Sequence, residues 1–119
     1  MKFLMLIKHT EAAPGTPIPQ PLMEAMGEFV GKGLSSGILK ETAGLKPTAE
    51  GFRIRSAGGR LQRTDGPFAE TKEIVGGYAL VETATREEAE DMAREFMELH
   101  RLHWPEFECE CEVRPLEDL

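Results

Sequence analysis

Residues 2–8, KFLMLIK, are apolar at consecutive rather than alternate positions, which predicts a strand buried on both faces. Residues 10–20 hold Pro14, Gly15, Pro17 and Pro19 and read as a loop. Helical spacing then takes over. Leu22, Met26, Phe29, Val30 and Leu34 share one stripe over about residues 21–34, with Pro21 at the favoured first position. Gly27, Gly31 and Gly33 weaken this helix by about 1 kcal/mol each relative to Ala, so packing must hold it. Gly37 ends it, and residues 38–45 read as a strand closed by Lys46-Pro47.

Alternation over 52–55 and 60–64, around Ala57-Gly58-Gly59, predicts a hairpin. Its second strand enters Asp65-Gly66-Pro67-Phe68, a tight reversal in which Asp bonds back to its own backbone and Pro presets φ. Residues 75–83 again carry apolar groups both ways, Tyr78 and Leu80 to one side, Ala79 and Val81 to the other. Thr85-Arg86-Glu87-Glu88 has the capping-box pattern. The helix it opens buries Ala89, Met92, Ala93, Phe96 and Met97, passes His100 and stops at Trp104-Pro105. Cys109, Cys111 and Val113 alternate with Glu108, Glu110, Glu112 and Arg114, the pattern of a half-exposed strand at or near a sheet edge.

The order strand–helix–strand–hairpin–strand–helix–strand predicts an α+β, ferredoxin-like (split βαβ) fold with an inserted β-hairpin. In that topology the first strand and the strand before the second helix are central, and these are the two whose composition is two-sided. Two helices cover one face of the sheet, so the other face needs a cover. A second copy is the simplest one, which predicts a homodimer packed through the sheet face. A monomer would leave much of Phe3, Met5, Ile7, Ala79 or Val81 in water.

Composition sets limits on this picture. The 119 residues fit one domain over 1–119, and 40% hydrophobic with 29% charged residues is a globular balance. A net charge of −7 argues against nucleic acid as a partner. Arg53, Arg55, Arg60 and Arg63 lie close together, and they read as a solvated strand face or, failing that, an anion site. The apolar start ends at Lys8, short of the ~20 residues a membrane span needs, and it lacks the pattern of a signal peptide. Cys109 and Cys111, two apart on one strand, do not suit a disulfide. A reduced, cytoplasmic protein is the expectation.

The candidate chemistry follows from which ends meet. The two central strands run antiparallel, and the second helix returns along its strand. The 9–20 loop, the 65–74 loop and the 100–108 segment therefore converge, bringing His9, His100, His103, Asp65, Glu70 and Trp104 to one rim. Asp65 is the candidate acid/base, with His9 as its possible partner, and Glu70, Lys72, Tyr78, His100, His103 and Trp104 are candidate ligand-binding residues. Each also has a structural explanation. Asp65 caps its turn, Glu70 and Lys72 are solvated, and His9 ends a strand. His100 and His103 suit the negative end of a helix dipole, Trp104 anchors a helix end, and Tyr78 packs in an interface. The spacing of His100 and His103 admits a metal, but without a stronger ligand set none is assigned, and no nucleotide motif or other cofactor site is found.

Asp65-Gly66-Pro67-Phe68-Ala69-Glu70-Thr71-Lys72-Glu73, running into Gly76-Gly77-Tyr78, resembles the DGPF branch of the YCII-related domain family. Gly44-Leu45-x-Pro47 and Val113-Arg114-Pro115 extend the resemblance over most of the chain. It implies a small bacterial α+β protein with relatives among dimeric α+β barrels. It also implies a small-molecule enzyme working through a His–Asp pair, of which Asp65 alone carries over by position. One branch handles chlorinated ring-cleavage products. Members encoded beside sigma factors point instead to a regulatory, non-catalytic ligand-binding module.

Overall fold

A computed structural model describes residues 1–10, 17–68 and 72–118. Strand β1 spans Lys2–His9, helix α1 Gln20–Ser36 and strand β2 Leu39–Gly44. A single 3₁₀ turn at Thr48–Glu50, which the sequence pattern did not signal, precedes β3 (Phe52–Ala57) and β4 (Arg60–Asp65). Strand β5 (Ile74–Glu82), helix α2 (Arg86–His103) and strand β6 (Cys109–Pro115) complete the order.

The main sheet has the order β2-β5-β1-β6, antiparallel throughout, so β1 and β5 are central and β6 is an edge. Two helices with this sheet are compatible with the ferredoxin-like arrangement. Among the described residues, strands β3 and β4 pair only with each other, in a two-stranded sheet turned by Gly58 and Gly59, both at positive φ.

Local sequence accounts for the helix ends. The Thr85 hydroxyl accepts from the Glu88 N–H at 3.2 Å, and the Glu88 carboxylate accepts from the Ala84 N–H at 3.0 Å. Two orphan donors are thereby satisfied at the start of α2. At the end of α1 the Gly37 N–H donates to the Leu34 carbonyl.

Alternation along β1 sends Phe3 and Met5 toward the helices, where they join Val81, Leu39, Ala89 and Ala93 in the core. The sheet-face expectation is corrected here. Phe3, Met5 and Val81 lie at 1%, 5% and 0% exposure and need no second copy. The groups turned away from the helices are the cross-strand pairs Leu4–Leu80 and Leu6–Tyr78. These are half-buried. The described residues are 19 Å deep along their shortest axis, about one sheet and one helix layer, so this second face has no helical cover.

Candidate functional site

The Asp65–Phe68 motif works as a clasp for the root of the β3–β4 arm. The Gly66 N–H donates to the Gly51 carbonyl at 2.9 Å, and the Phe68 N–H donates to the Thr48 hydroxyl at 3.2 Å. Any Cβ on Gly66 would overlap the Thr48 carbonyl oxygen, so this close approach of two backbones admits glycine alone. The Gly66–Pro67 peptide is cis. The Arg53 guanidinium lies 4.5 Å over the Phe68 ring.

Asp65 itself is 71% exposed in its side chain and pairs with Arg63 at 2.9 Å, two residues back on the same strand. The partner expected for it was His9; the partner found is Arg63. The Asp65 carboxyl points along the arm surface and neutralises one of its arginines. Asp65 ends β4, which belongs to the two-stranded sheet and not to the main one.

The rim is organised around His9. At the end of β1 it pairs with Ile74 of β5 and Cys109 of β6. Its Nδ1 lies 2.9 Å from the Thr10 carbonyl, which only accepts, so Nδ1 carries the hydrogen and Nε2 is left with its lone pair in the neutral ring. The ring rests over Gly76, where a Cβ would overlap Nε2. A register shift between Ile7 and Lys8 marks the irregularity in β5 that makes this room. Phe107 stands 5.2 Å from His9, tilted, and Trp104 stacks on Phe107 at 4.2 Å with 11° between planes.

Lys8 has the opposite orientation to its neighbour His9. It reaches Glu112 at 2.9 Å and Glu73 at 3.3 Å. The bond to Glu112, then that to Glu73, raises the Lys8 pKa, and Lys8 in turn lowers that of Glu112. Tyr78 lies on the same uncovered side, donating to the Glu41 carboxylate at 3.0 Å, a bond that raises its own pKa. The end of the sheet thus has an aromatic imidazole side and a charged side.

His100 lies one turn before Trp104, with its ring buried rather than open. It is buried at 7% exposure inside α2, donating Nδ1–H to the Phe96 carbonyl at 3.0 Å with its ring edge against Phe96. His103 and Lys72 are exposed, and Glu70 lies outside the described residues. Among the described residues no group of three His, Cys, Asp or Glu side chains is placed to hold a metal ion. Burial raises the pKa of Cys109 and pushes that of Cys111 up to about 11, so neither is an activated thiol. A groove of about 310 Å³ runs between α2 and β6, lined by Phe3, Ala89, Ala93, Met97, Cys111 and Val113. Its charged side chains include the Arg94–Glu90 ion pair, and it holds neither His9 nor Asp65.

The sequence reading did not assign Phe107, Gly76, Lys8 or Glu112 to the site. The Gly76-Gly77 pair before Tyr78 was the available signal for a ring lying on backbone, and Phe107 was an aromatic just before a strand. The Lys8 cluster is cross-strand and needed the register.

Residues 1–97 match the YCII-related domain. The chain belongs to that family. A protein of Rhizobium meliloti (strain 1021), described as uncharacterized, is 41% identical over 64 residues. That stretch is 54% of this chain and 52% of the relative, so the chain spans about half the length of the curated relative it matches. The YCII-related match includes the Asp65 clasp, His9 and Gly76 and stops before His100, so Trp104, Phe107 and β6 lie beyond it.

Proposed function

We propose that this YCII-related domain, of the DGPF branch, binds a small organic acid at the His9 rim and moves a proton on it, as a lyase or isomerase does. The observation that carries this is the His9 ring, fixed over Gly76 and against Phe107 with Nδ1 committed to Thr10. A ring whose tautomer and orientation are set in advance is what general acid–base work requires. Trp104 and Phe107 supply an aromatic wall. Lys72, exposed two residues before the Ile74 that pairs with His9, supplies a cation for the carboxylate, with exposed His103 nearby in sequence. Asp65 passes from acid/base to arm-surface residue, because its carboxylate is solvated and paired with Arg63. The same reading has two copies packed sheet to sheet, covering Leu4, Leu6, Tyr78 and Leu80.

A non-catalytic ligand-binding module is the competing reading. It is favoured by the partner of His9, which is a backbone carbonyl where a His–Asp enzyme would have a carboxylate. A thermal-shift screen of small carboxylic acids finds the ligand under either reading, since binding raises apparent stability. With that compound, His9→Gln should cut turnover about 10²-fold and Asp65→Asn should leave it within about threefold. Binding without any product would favour the module, and a 10²-fold loss in Asp65→Asn would return the acid/base role to Asp65.

A further inference from the structure

We infer that the groove between α2 and β6 is a second binding site, for an unbranched aliphatic monocarboxylate. One wall is a single stripe of α2: Arg86, Ala89, Glu90, Ala93, Arg94 and Met97 follow one another at helical spacing. Phe3 of β1 and Cys111 and Val113 of β6 form the other side. The register pairs Met5 with Val113 and Ile7 with Cys111, so both β6 side chains point to the helix side of the sheet, as Phe3 and Met5 do. Two features leave the space open. The helix presents only alanines, Ala89 and Ala93, to the core cluster that holds Phe3, where a longer side chain would fill the gap. On the other flank β6 is the edge of the sheet, and no strand pairs beyond it among the described residues.

The rim selects an acid. Glu90 stands at the spacing from which it could pair with Arg86, but its carboxylate is taken by Arg94 at 3.1 Å. Arg86 is exposed and makes no ion pair or hydrogen bond among the described residues. Glu87 and Glu88, the next two residues, lie off the stripe, and the Glu88 carboxylate is committed to the Ala84 N–H. Burial pushes the Cys111 thiol up to about 11, so it adds no negative charge near pH 7. Two arginines and one glutamate therefore leave the lining with a net positive charge, on a chain whose net charge is −7. A cation at one end and an apolar bed beyond it match a carboxylate with an alkyl tail. A cationic or strongly polar ligand would set its polar groups against Phe3, Ala93 and Val113 without hydrogen-bond partners.

Size points to a small molecule. A volume of about 310 Å³ lies at the lower end of small-ligand sites, and one helix stripe beside two strand side chains is far narrower than a protein interface. The rise from Arg86 to Met97 is about 16 Å along the helix axis, room for a medium-length alkyl chain laid out straight. The groove is separate from the His9 rim, since its lining holds none of His9, Gly76, Trp104 and Phe107. It also lies on the helix side, which a sheet-to-sheet pair leaves open. The inference therefore stands or falls independently of the proton transfer proposed at the rim.

Octanoate titrated into the full chain, followed by amide-resolved NMR, tests it. The expected result is a set of shifts at Ala89, Ala93, Cys111 and Val113 that saturates below about 1 mM. Butanoate should bind about tenfold more weakly or worse, because it buries fewer methylenes. Arg86→Gln, at an exposed position without a partner, should weaken octanoate about tenfold and leave octan-1-ol, the same chain without the charge, unchanged. Ala93→Leu fills the groove and should abolish binding of both, with circular dichroism showing that it folds; where it does not fold, Arg86→Gln alone decides. Shifts that gather at His9, Gly76 and Phe107 would assign the acid to the rim and overturn the groove. An Arg86→Gln variant that binds octanoate as tightly as wild type overturns the inference, as does a folded Ala93→Leu variant that still binds. So does a wild type whose amides octanoate leaves unmoved.

Discussion

The body and the arm use the same kinds of strand residue to opposite ends. In the body, Phe3 and Val81 are sealed at 1% and 0% exposure because β1 and β5 are central and two helices lie over them. In the arm, Ile54 and Leu61 alternate as regularly, yet stay at 60% and 77% exposure because no second layer lies over them. Alternation therefore predicts which side of a strand is apolar, and the layer above decides whether that side is buried. The clasp at Asp65–Phe68 is where one regime gives way to the other.

The sharpest way to break this comparison is to truncate an aromatic or aliphatic group in each region. Phe3→Ala should cost about 3–5 kcal/mol, as for other fully buried Phe residues, while Leu61→Ala should change the stability of the monomer by less than about 0.5 kcal/mol. Chemical denaturation at low protein concentration checks both. Equal losses would mean that the arm folds against the body. Next in size is Gly66→Ala, which sets a methyl against the Thr48 carbonyl and should cost about 1–3 kcal/mol. Hydrogen exchange should show the loss concentrated at Gly51, Gly66 and Phe68, with the amides of β1 keeping their protection.

Much of this fold was legible in the sequence because its signals are local. The capping box placed α2, and the consecutive apolar runs identified both central strands. Gly58-Gly59 placed the hairpin turn. The candidate site was legible only in part. His9 and Trp104 end elements whose directions follow from strand order, so topology brought them to one rim. Asp65 was legible as the residue that follows the hairpin, but its partner, Arg63 two residues back on the same strand, is set by side-chain geometry that alternation does not report. The partner of His100 was not legible either, since a helix stripe gives the face of the helix and leaves the ring's partner, here the Phe96 carbonyl, undetermined. The reversed assignment of Phe3 and Val81 has the same origin, because period two separates two faces without saying which the helices cover.

A smaller effect of the opposite sign is expected in α1. A Cβ on Gly31 meets no atom within 4 Å, so the helix carries a flexible residue without a packing reason. Gly31→Ala should raise stability by up to about 1 kcal/mol, read from the denaturation midpoint. A loss instead would show that this face of α1 is occupied in the assembled protein.

The smallest effect concerns the charged side of the rim, and it depends on pH. Lys8 lowers the pKa of Glu112 below its ordinary 4.5, so the pair's contribution is complete above that value and is lost as pH falls through the depressed one. The Glu112 bond, followed by that to Glu73, raises Lys8 above 10.5, so the contribution persists in base until pH rises through the raised value. Between these limits the ion pair is intact and at its full strength. Glu112→Gln should therefore lower Tm slightly at pH 7 and by less at pH 3, since acid drives Glu112 toward the neutral form that Gln resembles. A loss of equal size at both values would assign the effect to packing. In a monomer the pair is open to solvent, and 0.5 M salt should remove most of the difference. A second copy covering this face would exclude water from Lys8 and Glu112, so a difference at pH 7 that survives the salt is the signature of the sheet-to-sheet assembly.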